Sequence, residues 1–298
     1  MLSLDSPLPI SGTSYTLKLV SRLSHTFVAT NYGHENKKDM RPSFPVYADQ
    51  TTEGPFWADL TVTPNYTFPK ELVIVKTHCG GRCESCGPTQ YAETTYSFRR
   101  ACQRGKRRTI ENGQMIHTQV HYPIARVQKA IHLIRDPFDN VVSRFHMETR
   151  SDRSASRFNR TREGFRSYCR ELNDRFRSDE SKSILFQEEW LNSTRSVPCR
   201  SDFFRWIEWH NQVFHMTSDL NLETLILDYG SYARQMNATC NILLDFLSLK
   251  RHDDPEPFEE GKVYHDYYTA DERKQIGFVL QDLASHTTWQ HVSKYFLE

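Results

Sequence analysis

Three short apolar runs, each followed at once by a polar turn and a helical pattern, limit what this chain can fold into. They are "ELVIV" at 71–75, the strand-like stretch Ala130–Ile134 within "KAIHLIRDPF", and Thr224–Leu227 within "LETLILDYG". Unbroken runs of this kind suit strands covered on both faces. A strand followed three times by a helix predicts a parallel α/β sheet with helices on both sides. Ligands of such sheets bind outside the carboxyl ends of the strands, so the loops after these runs are where function is sought.

Helical spacing places Tyr15, Leu19, Leu23 and Phe27 on one face, and Val141, Val142 and Phe145 inward on a helix whose first turn holds Pro137. Further helices are expected over 92–102, 161–177 and 202–217, after the third strand, and over 270–283. Phe203, Phe204, Trp206 and Trp209 read as helix core. The proline-rich stretch 31–70 reads as an extended surface segment with "GPFW" docked in a groove, and 105–112 as exposed chain.

With 38 Lys+Arg against 37 Asp+Glu, the net charge of +1 gives no global case for nucleic acid or an anionic membrane. The arginine clusters at 99–108 and 144–177 read as solvated helix faces. No apolar run reaches the ~18 residues of a membrane span, so no anchor is expected within the chain. Asn65, Asn159, Asn192 and Asn237 each head an Asn-x-Thr sequon, which together with seven cysteines leans toward a secretory lumen, a cytoplasmic setting being the alternative. Cys79, Cys83, Cys86 and Cys102 admit disulfides, free thiols or a zinc site, and connectivity is not legible. Cys169, Cys199 and Cys240 read as structural.

Three strand-end segments can carry chemistry. "PISGTSY" offers Gly12 for close backbone approach and the hydroxyls of Ser11, Thr13 and Ser14 beside helix N–H groups, either an anion cradle or an ordinary helix cap. It is no Walker A loop, which argues against ATP or GTP hydrolysis. In "VKTH", Lys76 and His78 fall on one side of an extended chain, where an imidazole could take a hydroxyl proton and an ammonium could neutralise a leaving oxyanion; a polar strand end without chemistry is the alternative. In "HLIRDPFDNVVSRF", Arg135 leaves a strand and Ser143 follows eight residues later, a pair fit to clamp a phosphate or to bond helix-end carbonyls. The acidic stretch from Asp253 to Glu260 and "HDYY" at 265–268 read as an exposed loop.

In this order and spacing the segments, together with "LDYGSYARQMNATCNILLDFLSL", resemble the sulfotransferase superfamily from Leu8 to about Leu249. The cysteine-rich loop resembles the branch associated with WSC domains. The resemblance implies a three-layer, P-loop NTPase-like fold in one domain over residues 1–298, short of its first strand because only Met1–Asp5 precede the loop. It implies transfer of a sulfuryl group from 3'-phosphoadenosine 5'-phosphosulfate to an acceptor hydroxyl, of a glycan or glycoprotein rather than a small phenol, leaving adenosine 3',5'-bisphosphate and requiring no metal. Carried over residue by residue, Ser11, Gly12, Thr13 and Ser14 hold the phosphosulfate, Tyr15 and Tyr229 approach the adenine, and Arg135 and Ser143 bind the 3'-phosphate. Lys76 faces the bridging region, His78 is the base, and Lys262 stands for the late basic segment. Ile10 occupies a position where the family carries a cation, so the alternative function is a nucleotide- or sulfated-ligand-binding protein with impaired transfer.

Overall fold

The computed structural model describes residues 2–5, 12–26, 28–30, 43–45, 55–58, 74–77, 79, 94–112, 114–121, 124–151, 155–180, 186–258 and 264–296. The strands are β1 (Leu2–Asp5), β2 (Val28–Thr30), β3 (Ser43–Pro45), β4 (Pro55–Ala58), β5 (Ile74–Lys76), β6 (Arg104–Glu111), β7 (Gln114–His121), β8 (Lys129–Ile134) and β9 (Glu223–Asp228). The helices are α1 (Thr13–Ser24), α2 (Thr95–Cys102), α3 (Pro137–Ser151), α4 (Arg162–Glu180), α5 (Glu188–Ser193), α6 (Arg200–Asp219), α7 (Ser231–Phe246), α8 (Ala270–Leu283) and α9 (His286–Val292).

Seven strands form one sheet in the order β3-β4-β2-β5-β1-β8-β9. The five from β2 to β9 run parallel, whereas β3 and β4 add an antiparallel edge. The molecule is thus α/β with a parallel sheet as expected, but the sheet is mixed, because the segment read as surface chain supplies β3 and β4. "GPFW" contributes β4 instead of a docked loop. The first strand, expected to be deficient, is present as β1 and pairs with β5 and β8 at the middle of the sheet.

Strand alternation along β8 shows how the faces are covered. Ile131 and Leu133 join Leu17, Val20 and Leu23 of α1 and Tyr232, Leu243 and Leu244 of α7 in one buried cluster. His132, between them in sequence, faces the other way and meets Trp209, His210 and Phe214 of α6. Beyond β8, Phe138, Val142 and Phe145 of α3 pack with Phe203 and Ile207 of α6 and Ile276 and Leu280 of α8. Phe203, Phe204, Trp206 and Trp209 are buried, as helix core should be.

Local chemistry sets the helix starts. Asp136 Oδ1 accepts from the backbone N–H of Phe138 (2.8 Å) and Asp139 (3.2 Å) ahead of α3, whose first residue is Pro137, where a missing N–H costs nothing. Thr269 and Glu272 form a reciprocal capping box at α8. The helix after β9 is interrupted at Gln235 (φ −154°, ψ 57°), so the long amphipathic pattern there is kinked.

The stretch 105–112, expected to be exposed chain, forms with β7 a separate two-stranded antiparallel hairpin. The overlooked signal is Asn112-Gly113, the dipeptide that favours two-residue hairpin turns; Asn112 has φ 51°. The 99–108 arginine cluster consequently divides between α2 and β6. Among the described residues, two disulfides join Cys79 to Cys102 and Cys169 to Cys199, while Cys240 is free and buried. No helix among the described residues is long and apolar enough to cross a membrane.

Candidate functional site

The site lies where β1, β5, β8 and β9 end. Gly12 begins α1 with φ 98°, a left-handed conformation, and its carbonyl accepts the first helical hydrogen bond from Thr16 N–H at 2.9 Å. The preceding N–H groups of that helix have no acceptor within it, and they carry the positive end of its dipole. Thr13 is buried, with no hydrogen-bond partner for its Oγ1 among the described residues, while Ser14 is exposed.

Lys76, the last residue of β5, is buried and its Nζ donates to Ser14 Oγ at 2.8 Å. This bond ties the end of β5 to the first turn of α1. The next residue, Thr77, donates through Oγ1 to Cys102 O (3.3 Å) and accepts from Cys79 N–H (3.3 Å), so the Cys79–Cys102 bridge sits directly beyond Lys76.

At the end of β8, Arg135 donates from a guanidinium nitrogen to Ser143 Oγ (3.3 Å), and its guanidinium carbon lies 5.0 Å from the centre of the Tyr229 ring. Tyr229 follows β9, and its N–H bonds to Ile134 O at 2.8 Å, which fixes that corner. The opposite side of the arrangement is Gly12: a β-carbon there would come within 2.1 and 2.3 Å of Tyr229 Cε2 and Cδ2. Tyr229 therefore bridges the α1 loop and the Arg135 loop.

Tyr15 meets Tyr229, Tyr232 and Phe258 edge-to-face at centroid distances of 6.5, 5.1 and 5.2 Å. Burial pushes the Tyr15 phenol up to about 12 and raises that of Tyr229, against the lowering effect of Arg135 on the latter. Both phenols are neutral at physiological pH and act here as aromatic walls.

Of the residues singled out from the sequence, Gly12, Thr13, Ser14, Tyr15, Lys76, Arg135, Ser143 and Tyr229 thus come together through direct contacts, whereas His78, Ser11, Ile10 and Lys262 lie outside the described residues. Two neighbours were missed. Tyr264 shares a hydrogen bond with Ser143 and stacks on His146, and Phe258 closes the tyrosine cluster. Neither had a local signal, since each meets partners far away in sequence. The supposed acidic loop is also partly wrong: Tyr264 and Tyr268 are buried, and His265–Tyr267 is a 3-10 turn. Asp253 and Glu256 pair with His25 and Arg22.

The arrangement can hold a ligand with two anionic ends. A buried ammonium, hydroxyls and helix N–H groups gather on one side of Tyr229, and a guanidinium with a hydroxyl on the other. The disulfide removes Cys79 and Cys102 from the zinc alternative, and no group of three His, Cys, Asp or Glu among the described residues is placed to hold a metal ion. No protein-family model and no curated protein matches the chain.

Proposed function

We propose that the protein is a sulfotransferase with a three-layer, P-loop-like architecture, moving a sulfuryl group from 3'-phosphoadenosine 5'-phosphosulfate to an acceptor hydroxyl. The observation that supports it is the unbroken run of contacts from Lys76 through Ser14 and Gly12 to Tyr229, Arg135 and Ser143 at the ends of four adjacent parallel strands. The donor set fits the nucleotide. Its two phosphate-bearing ends match the two cationic ends of the site, and the Thr13 hydroxyl, without a partner among the described residues, lies at the cradle for one of them.

When bound, that nucleotide supplies the sulfuryl group. The α1 N-terminus, Ser14 and Lys76 would hold its phosphosulfate end, Arg135 and Ser143 its 3'-phosphate, and Tyr15 and Tyr229 its base. Ser14 holds the Lys76 ammonium in place, where it would offset negative charge on the departing phosphate oxygen. His78, two residues after Lys76, would accept the acceptor's hydroxyl proton at an imidazole nitrogen. With Ile10 in the loop, Lys76 carries a larger share of that charge neutralisation.

Calorimetry with adenosine 3',5'-bisphosphate tests the reading. Wild-type protein should bind, and Arg135→Ala should weaken binding roughly 10- to 100-fold, the value of a charge-assisted hydrogen-bond pair. Radiolabelled sulfuryl transfer to a carbohydrate panel then separates an enzyme from a binding protein. Absence of nucleotide binding by the wild type removes the proposal. The disulfides Cys79–Cys102 and Cys169–Cys199 and the exposed sequon residues Asn159, Asn192 and Asn237 support a secretory-lumen setting, where glycans are the abundant hydroxyl acceptors.

A further inference from the structure

Among the described residues, Asn-x-Thr sequons present exposed asparagines at Asn159, Asn192 and Asn237. Asn192 lies in the last turn of α5, and Thr194, which completes its sequon, caps that helix. Thr194 is fully buried and its Oγ1 donates to Trp190 O at 2.7 Å, so the threonine has a structural task. The Asn192 side chain has none: it is exposed and its carboxamide makes no hydrogen bond among the described residues.

That side chain lines a cavity of about 360 Å³ bounded by the end of α4, α5 and the start of α6. Neither Asn159 nor Asn237 lines it, and Asn237 instead accepts from Arg251 Nη2 at 2.9 Å beside α7. Phe186 and Leu191 give the cavity an apolar wall. Phe186 is held by Phe204 of α6, 4.7 Å between ring centres, and Leu191 packs on the main core. The polar part of the lining is balanced in charge. Arg200 is taken by Glu180 and Arg177 by Asp174, while Arg195 and Glu188 add one charge of each sign. An apolar wall with neutralised polar groups around it suits an uncharged sugar, which offers an apolar ring face, hydroxyls and an acetamide, better than it suits a phosphate or a fatty chain.

We propose that Asn192 carries an N-linked glycan whose first N-acetylglucosamine packs into this cavity. The glycan comes from a lipid-pyrophosphate-linked oligosaccharide. A bond forms from Asn192 Nδ2 to C1 of that sugar, the bond from C1 to the pyrophosphate oxygen breaks, the lipid pyrophosphate leaves, and Nδ2 gives up a proton. Thr194 is buried once α5 is in place, so a transferase that reads the threonine of the sequon acts before this part of the chain folds. Attachment at Asn192 then holds the sugar beside the cavity at high effective concentration, so weak contacts there suffice to seat it. The inference rests on the secretory-lumen setting that the disulfides Cys79–Cys102 and Cys169–Cys199 support, and it is independent of the nucleotide chemistry.

The test uses the full chain routed through the secretory pathway of cultured cells grown with a mannosidase inhibitor. Releasing glycans from the denatured protein with peptide-N-glycosidase in heavy-oxygen water should convert Asn192 to labelled aspartate in most molecules. Amide hydrogen exchange then reads the seat. Within 186–195 it should be about threefold or more slower in wild type than in Asn192→Gln, while 155–165, beside Asn159, exchanges alike in both. A second measurement needs no variant: endoglycosidase H, which trims the native glycan back to its first sugar, should leave the slow exchange of 186–195 intact. An unmodified Asn192, equal exchange in 186–195 with and without the glycan, equal slowing in 155–165, or protection lost on trimming overturns the proposal. Failure of the wild type to bind adenosine 3',5'-bisphosphate would remove the sulfotransferase reading and leave the seated glycan standing.

Discussion

Tyr229 and Gly12 show how much of the site depends on single atoms. The ring that lies under the Arg135 guanidinium also fills the space where any other residue at position 12 would place its β-carbon. Gly12→Ala therefore combines two penalties. The left-handed backbone alone costs about 1–2 kcal/mol for a residue with a side chain, and the contact with Tyr229 must be relieved by moving the ring. The expected outcome is a lower melting temperature together with weakened binding of adenosine 3',5'-bisphosphate; thermal melts and calorimetry on the same preparation check both. A variant matching wild type in both would show that Tyr229 does not hold the loop. Gly12, Lys76, Arg135 and Ser143 were legible in the sequence because each sits at a strand end that the apolar runs mark out. Tyr264 and Phe258 were not, because their role comes from partners more than a hundred residues away, such as Ser143 and Tyr15.

Elements that pack together here are also stapled together. The Cys169–Cys199 bridge joins the middle of α4 to the residue that caps α6, closing a loop of 30 residues. Between them, Arg200 pairs with Glu180 through buried side chains, and Ser201 Oγ donates to the same carboxylate at 2.7 Å. Closing a loop of that length contributes about 3–4 kcal/mol through the unfolded chain. Cys169→Ala/Cys199→Ala should lose that much in urea unfolding monitored by far-UV circular dichroism, with nucleotide binding retained below the transition. A loss under 1 kcal/mol would show that the ion pair and the aromatic core already fix α4 on α6. The sequence named these cysteines as structural but gave no means of pairing them, since two positions thirty residues apart carry no distance information. The β6–β7 hairpin escaped for another reason. Its strands carry polar residues at both sets of alternate positions, so the period-2 alternation that marks a half-buried strand is missing, and the Asn-Gly turn, the signal that was there, was overlooked.

The parallel sheet and its helices followed from the apolar runs, whereas the antiparallel edge of β3 and β4 did not, because short proline-bearing strands look like loop. Between the sheet and α6 lies a feature with a molecule-wide effect. His132 Nε2 and His210 Nδ1 are 2.7 Å apart, both rings are fully buried, and His132 Nδ1 and His210 Nε2 have no partner among the described residues. Burial lowers His132 to about 3 and His210 well below its ordinary 6.5, so both are neutral in the fold. The unfolded chain takes up protons on these rings below about pH 6.5 while the fold does not, so stability falls with pH through the window from 6.5 toward 3. By pH 5 the loss at His132 is roughly 2 kcal/mol, and His210 adds to it in the same direction. Asp136 and Glu208, raised by burial to about 6 and about 7, act with the opposite sign, since the fold holds their protons more tightly than the unfolded chain. Urea unfolding of wild type and of His132→Phe/His210→Leu at pH 7 and pH 5 isolates the pair: the variant should lose markedly less stability across that interval. Parallel losses would place the acid sensitivity elsewhere. One consequence of β1 concerns time. Its Leu2 pairs with Ile74 on one side and Lys129 on the other, so this inner strand leaves the ribosome roughly 70 residues before one neighbour and roughly 130 before the other, a wait of several seconds on each count at ordinary translation rates. During synthesis β1 has two open edges until β5 and β8 emerge, and it is there that a nascent-chain chaperone would find a substrate.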